Sequence, residues 1–149
     1  MKSDKWLRFK KTVRFGDCDT ANVIHFHNLF RWSHEFWEES LEIYGINYHE
    51  IFPCEVSNNQ VLYPIINSEA KFFRPINLGD ILIIRIVPLK INNHLFKVNT
   101  FFFKDSLKVA ESIIIHCSIS ADKRIKVSLP EHLEKWIEAS AINNNVEEC

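Results

Sequence analysis

Glycine is scarce in this chain, with only Gly16, Gly45 and Gly79 among 149 residues, and none belongs to a phosphate-cradling run such as G-x-x-x-x-G-K-[ST]. G-x-S-x-G is also missing, so nothing points to a serine nucleophile on a strand-to-helix elbow. The four cysteines, Cys18, Cys54, Cys117 and Cys149, lie far apart without a C-x-x-C pair, which reads as reduced thiols rather than a disulfide framework or a zinc ribbon. The net charge is −1 and no run of five or six like charges occurs, so the footprint of a nucleic-acid partner is absent. Apolar runs such as Ile81 to Ile84 are too short to span a bilayer, and "MKSDKWLRFKK" lacks the apolar stretch of a signal peptide. The expectation is a cytoplasmic protein with no membrane or nucleic-acid partner, acting on a small molecule or on another protein.

What is present is bulky and periodic. Twelve Phe and four Trp serve either a well-packed core or a flat apolar pocket. No linker, repeat or low-complexity stretch divides the sequence, so residues 1–149 read as one domain, long enough to bury about two-thirds of its extended surface. Leu7, Phe9, Val13 and Phe15 alternate as a half-buried strand does. From Asn28 to Tyr44 the period changes. Phe30, Ser33, Trp37, Leu41 and Tyr44 recur at three- and four-residue steps, joined by Leu29, Trp32 and Phe36, before Gly45 stops the helix.

Residues 61–73, 80–90, 94–104 and 108–120 are rich in β-branched and aromatic residues and joined by short links, which predicts antiparallel neighbours. A brief strand near 124–128 and a closing helix in "LPEHLEKWIEAS" complete a β-α-β-β-β-β order. This is an α+β pattern in which a curved antiparallel sheet can wrap the one long helix, a pattern that cystatin-like and other curved-sheet folds with one principal helix also satisfy. A long strand such as 80–90 would leave an apolar edge in a monomer, to be paired in a dimer and blunted by Pro88.

One stretch, "FGDCDTANVIHFHN" at 15–28, concentrates ionisable groups: Asp17, Asp19, His25 and His27. As metal ligands the carboxylates would have to fold back across a loop, and the two histidines would diverge from an extended chain. Without H-E-x-x-H spacing no metal site is expected. On residue types alone the plain alternative stands, in which the aspartates bond loop amides and the histidines lie at the surface. His34 and His116 read as structural.

Arg14-Phe15-Gly16-Asp17-Cys18-Asp19-Thr20-Ala21, followed by Val23 and by Asn28-Leu29-Phe30-Arg31-Trp32, resembles the signature of the hotdog-fold acyl-CoA thioesterases of the 4-hydroxybenzoyl-CoA thioesterase type. The resemblance implies a hotdog fold with a sheet of about five strands around the long helix. It implies that Asp19 is the catalytic carboxylate, as nucleophile or as general base, and that Asp17 braces the loop. It also implies that the backbone N–H of Phe26, at the helix entrance, meets the thioester oxygen, where negative charge develops. No cofactor is implied, coenzyme A being part of the substrate. A homodimer or homotetramer is, with the active site between subunits and a wall resembling Pro64 to Phe73.

Asn22 stands where the family pattern has glycine, and asparagine tolerates the left-handed region better than most residues. The "IHFHN" version of the helix entrance resembles the branch that hydrolyses 1,4-dihydroxy-2-naphthoyl-CoA in phylloquinone and menaquinone synthesis. The implied substrate is therefore that aromatic acyl-CoA, with 4-hydroxybenzoyl-CoA or a short-chain acyl-CoA as alternatives within the class. A non-catalytic acyl-CoA-binding module is the rival outside it. His25, His27 and Tyr63 are the candidate substrate contacts, and Lys71, Arg74, Lys90, Lys123 and Arg124 are candidates for the phosphates of CoA.

Overall fold

The computed structural model describes residues 4–145, so Cys149 and the first residues of the N-terminal stretch lie outside the described residues. Alternation governs the second half of the chain. In β4 (Ile81–Lys90) Leu82, Ile84 and Ile86 are fully buried while Ile81 and Ile83 face outward. The same side of β5 (Leu95–Lys104) carries Phe96, Val98, Thr100 and Phe102, and that of β6 (Leu107–Cys117) carries Ala110, Ser112, Ile114 and His116. The register sets these residues in rows: Ile86 opposite Thr100, Thr100 opposite Ser112, and Ser112 opposite Ala70. Between β5 and β6, Asp105 and Ser106 take φ of +50° and +66°, as a two-residue hairpin turn with the twist of its strands requires.

With β1 (Arg8–Thr12) at one edge and β3 (Ile65–Phe72) at the other, the order is β1-β4-β5-β6-β3, antiparallel throughout. The long helix α1 (His27–Tyr44) lies on the inner face and buries Leu29, Trp32, Ser33, Trp37, Ser40 and Leu41. Phe36, at the margin of that face, stacks on Phe9 of β1 at 4.9 Å. Gly45 ends the helix at φ +113°, donating to the carbonyls of Leu41 and Glu42. A sheet curled around one central helix in this way is the hotdog fold. A short helix, α2 (Tyr48–Ile51), follows. The last helix, α3 (Glu131–Asn145), is fastened by Trp136, whose Nε1 donates to Ser40 on α1 at 3.1 Å.

Four expectations need correction. Residues 61–73 are not one strand: β2 (Val61–Leu62) ends at Tyr63-Pro64, where the missing N–H of proline breaks the ladder. β2 instead pairs with β7 (Ile119–Ser120) as a separate ribbon, so the strand expected to reach 120 leaves the main sheet after Cys117. The segment 124–128 contributes only a bridge from Lys126 to Ile119. The exposed edge also lies elsewhere. Residues 81–85 of β4 are paired by β1, and α3 runs beside β4, with Lys90 bonded to Glu134 at 2.6 Å and Arg85 donating to Asn144 at 3.0 Å. The apolar edge left unpaired is β3, where Ile65, Ile66 and Phe72 are all exposed.

Candidate active site

The loop from Phe15 to Phe26 is a compact knot of local bonds. Phe15–Asp17 form one 3-10 turn, and Asp17 ties the knot three ways. Its carboxylate accepts from the Arg14 N–H at 2.8 Å, and its carbonyl accepts from the His25 N–H and from Asn28 Nδ2, each at 2.8 Å. A brace at Asp17 therefore joins the loop to the first turn of α1. Inside the knot, Asp19 and Val23 are bonded (Asp19 N–H to Val23 O, 2.9 Å), and Asn22 closes a tight turn onto the Asp19 carbonyl at 3.1 Å. Asn22 adopts φ +62°, the left-handed conformation that its side chain allows in place of glycine.

This turn aims Asp19 outward. Its Oδ1 accepts from the Ala21 N–H at 2.8 Å, while Oδ2 has no partner among the described residues. Cys18, between the two aspartates, is a poor nucleophile. Desolvation raises its thiol pKa above the ordinary value, and Asp17, Asp19 and Asp80 raise it further.

A second segment from far along the chain completes the site. Ile24 donates to the Ile76 carbonyl at 2.9 Å and Leu78 to the Asn22 carbonyl at 3.2 Å, so residues 22–24 run alongside 76–78. Between the two segments opens a cleft of about 510 Å³, with Asp19 and residues 23–26 on one side and residues 72–76 on the other. Phe26 and Phe73, 65% and 49% exposed, give its largely apolar lining two exposed aromatic rings. Phe26 is also the residue from which α1 starts. No side chain caps the helix there, and the Phe26 N–H donates to no acceptor among the described residues. One cleft thus holds a carboxylate with a free oxygen beside a helix entrance with a free amide, the donor and acceptor types that acyl transfer uses.

The other candidates fall differently. His25 lines the cleft; His27 does not, but its Nδ1 lies 2.6 Å from His25 Nδ1, so one ring donates to the other. Tyr63 is not brought to the cleft. Its ring packs edge-on against Phe96 at 6.1 Å, and burial pushes its hydroxyl well above the ordinary tyrosine range. Of the five cations considered for CoA phosphates, Arg74 alone lines this cleft. Sequence reading did not single out the 72–76 segment as a whole, because only its distant pairing with residues 22–24 gives it a role. Among the described residues no three His, Cys, Asp or Glu side chains are grouped to hold a metal ion, and no helix is long and apolar enough to cross a membrane.

Comparison with known proteins gives this geometry a family. A protein of Prochlorococcus marinus subsp. pastoris (strain MED4) named 1,4-dihydroxy-2-naphthoyl-CoA hydrolase is 61% identical over 150 residues, covering 100% of both chains. A crystal structure of a chain from Prochlorococcus marinus str. MIT 9313 superposes with a TM-score of 0.87 at 44% identity, covering 94% of this chain and 99% of that one. A 1,4-dihydroxy-2-naphthoyl-CoA thioesterase from Synechocystis shares the fold, with a TM-score of 0.79 at 21% identity over 88% of this chain and 94% of its own. Since the profile of the thioesterase-like superfamily matches residues 13–137, from the end of the first strand into the last helix, the chain belongs to that superfamily.

Proposed function

We propose that this thioesterase hydrolyses 1,4-dihydroxy-2-naphthoyl-CoA to 1,4-dihydroxy-2-naphthoate and CoA, the step that serves phylloquinone or menaquinone synthesis. The observation that carries the reading is the single aromatic-lined cleft shared by the Asp19 carboxylate and the uncapped entrance of α1. The name of the relative identical at 61% of positions supports the acyl group. In this reading the naphthoyl ring lies against Phe26 and Phe73, and the thioester oxygen accepts from the Phe26 N–H, where the helix dipole favours the growing negative charge.

Asp19 Oδ2 then acts in one of two ways. It attacks the carbonyl carbon, the C–S bond breaks, the thiolate leaves with the electron pair, and water hydrolyses the resulting anhydride. Alternatively it takes a proton from a water that attacks the same carbon. Neither route needs a metal or a cofactor beyond the CoA of the substrate. His25, which lines the cleft, and His27, bonded to it, are assigned to the ring hydroxyls. Tyr63, half-buried against Phe96 and away from this cleft, is given no part. The reading takes the chain as a cytoplasmic homodimer or homotetramer, in which a second copy covers the exposed apolar edge of β3.

Thiol release from 1,4-dihydroxy-2-naphthoyl-CoA, 4-hydroxybenzoyl-CoA and a short aliphatic acyl-CoA, each with wild type and Asp19→Asn, tests the proposal. Expected is selective turnover of the naphthoyl ester, with kcat down at least about 100-fold in the variant. The asparagine keeps an oxygen for the Ala21 N–H, so the turn survives the change. Turnover indifferent to the substitution removes Asp19 from the mechanism. CoA-ester binding without turnover of any substrate means a binding module instead. Label found in the Asp19 carboxylate after a single turnover in ¹⁸O-water establishes direct attack with hydrolysis at the Asp19 carbonyl of the anhydride, since the general-base route puts label only in the product.

A further inference from the structure

We propose that His25 and His27 form one proton-sharing unit that selects hydroxylated aryl esters, an assignment that rests on the thioesterase reading above. His27 is the positioning residue: it fixes the proton of the His25 ring, so that His25 Nε2 accepts from a hydroxyl of the substrate. In an extended segment two histidines at this spacing diverge. Here the turn into α1 brings their Nδ1 atoms to 2.6 Å, with the ring centres 4.4 Å apart. The backbone beneath them is fixed. The His25 N–H donates to the Asp17 carbonyl at 2.8 Å, the His25 carbonyl accepts from the Asn28 N–H at 3.0 Å, and His27 is the first residue of α1. The His25 ring centre also lies 5.1 Å from that of Phe26, against which the reading places the naphthoyl ring.

A contact of 2.6 Å between two imidazole nitrogens has room for one proton. In the neutral pair one Nδ1–H donates and the other Nδ1 is bare, so the donor ring keeps a bare Nε2 and the acceptor ring carries its proton on Nε2. Of the two, His25 alone lines the cleft, and Nε2 is the nitrogen it has left for a ligand, since neither ring has another hydrogen-bond partner among the described residues. A phenolic hydroxyl shares its lone pair with its ring and so donates better than it accepts. The arrangement that fits it has His25 donating to His27 with Nε2 bare. A proton added to the pair occupies that Nε2 and removes the acceptor; a further one sets two N–H groups head to head and parts the rings. The charged groups around the pair are Asp19 and Arg74 in the same cleft, Asp17, whose carboxylate is turned to the Arg14 N–H and to Lys11 at 3.8 Å, and Arg31, one turn along α1 and paired with Glu35 at 3.0 Å.

The test compares 1,4-dihydroxy-2-naphthoyl-CoA with 2-naphthoyl-CoA, which lacks the hydroxyls, in wild type, His25→Phe, His27→Phe and His27→Asp. At about pH 8, above the ordinary histidine range, wild type is expected to prefer the hydroxylated ester in kcat/KM. His27→Phe, which keeps a ring without an acceptor, cuts that preference about tenfold, and His25→Phe does the same. His27→Asp restores it, because a carboxylate only accepts and so keeps the His25 proton on Nδ1. The same carboxylate favours the charged ring, so the preference of His27→Asp is lost in acid at a higher pH than that of wild type. A preference unchanged by His27→Phe, or not rescued by His27→Asp, overturns the positioning role.

Two measurements without turnover separate this proposal from the one it rests on. Ring ¹⁵N resonances report the tautomers, and a proton on Nδ1 of His25 and on Nε2 of His27 is expected. The reverse placement, or a proton on Nε2 of both rings, overturns the pair whatever the turnover. Calorimetric binding of free 1,4-dihydroxy-2-naphthoate and 2-naphthoate to wild type and His27→Phe reads the selection itself. The dihydroxy acid bound more tightly, with the difference levelled by His27→Phe, supports the pair even if no ester is hydrolysed, and then only the thioesterase reading fails. Equal binding of the two acids by wild type overturns the selection while leaving any turnover intact.

Discussion

Replacing His116 with glutamine flattens the acid side of the stability profile by an amount that the structure sets. His116 is 1% exposed, stacked 5.0 Å from Phe96 and 4.4 Å from Trp37, with Nδ1 donating to the Tyr63 carbonyl at 3.1 Å. Burial lowers its pKa from 6.5 to about 4; the Tyr63 bond opposes that shift, and the proximity of His34 adds to it. The folded protein therefore keeps the ring neutral over a range in which the unfolded chain protonates it. The unfolded state binds more protons there, so stability is present in full above pH 6.5 and falls as the pH drops towards 4. At 1.36 kcal/mol per pKa unit the whole effect is about 3 kcal/mol, of which about 2 kcal/mol is lost between pH 7 and pH 5.

Urea unfolding of wild type and His116→Gln at both pH values isolates this contribution, because the other titrating groups are common to the two proteins and the glutamine amide can still donate to Tyr63. Wild type is expected to lose about 2 kcal/mol more than the variant over that interval. Equal losses would mean that His116 titrates alike in both states, and would refute the inference from its burial.

Asn22→Gly keeps both fold and turnover, whereas Asn22→Val forces a β-branched residue to φ +62° at a cost of about 1–2 kcal/mol and lowers kcat by opening the turn that aims Asp19; unfolding and single-turnover assays on the pair check this. Ile84→Ala, at a fully buried position in the middle of the inner face, costs about 2–5 kcal/mol in urea unfolding and spares kcat at a temperature where the variant is folded.

Much of the fold was legible because its periods are clean. The steps through Leu29, Trp32, Ser33, Trp37 and Leu41 placed α1 to within a residue at its start, and the β-branched and aromatic runs at 80–90 and 94–104 placed two strands. What failed was non-local. Nothing near Pro64 says that Val61 and Leu62 will find Ile119 and Ser120, and nothing within 80–90 says that β1 and α3 will cover it while β3 remains at the edge. In the site, the resemblance gave Asp19 the catalytic part and Asp17 the brace, but not the bonds that each makes. Those bonds tie Asp17 to residues 14, 25 and 28, whereas Asp19 accepts only from its own turn, Ala21 on Oδ1 and Asn22 on the carbonyl, which leaves Oδ2 free among the described residues.

The cleft owes its existence to the same non-local pairing. Residues 22–24 and 76–78 are irregular segments far apart in the chain, each too short to hold a shape alone, yet four anchors fix them: Ile24 to Ile76, Leu78 to Asn22, His25 to Asp17, and Phe73 with Arg74 to Val109. Buried Ile24 and Ile76, at 4% and 1% exposure, seal the join from the core side. The loops therefore bring the rigidity of the sheet to a surface site, while their outward residues, Asp19, Phe26, Phe73 and Arg74, stay exposed to meet a ligand. A substitution that loosens Ile76 should then disturb Asp19 and Arg74 together, although it touches neither side chain, because both hang from the one seam.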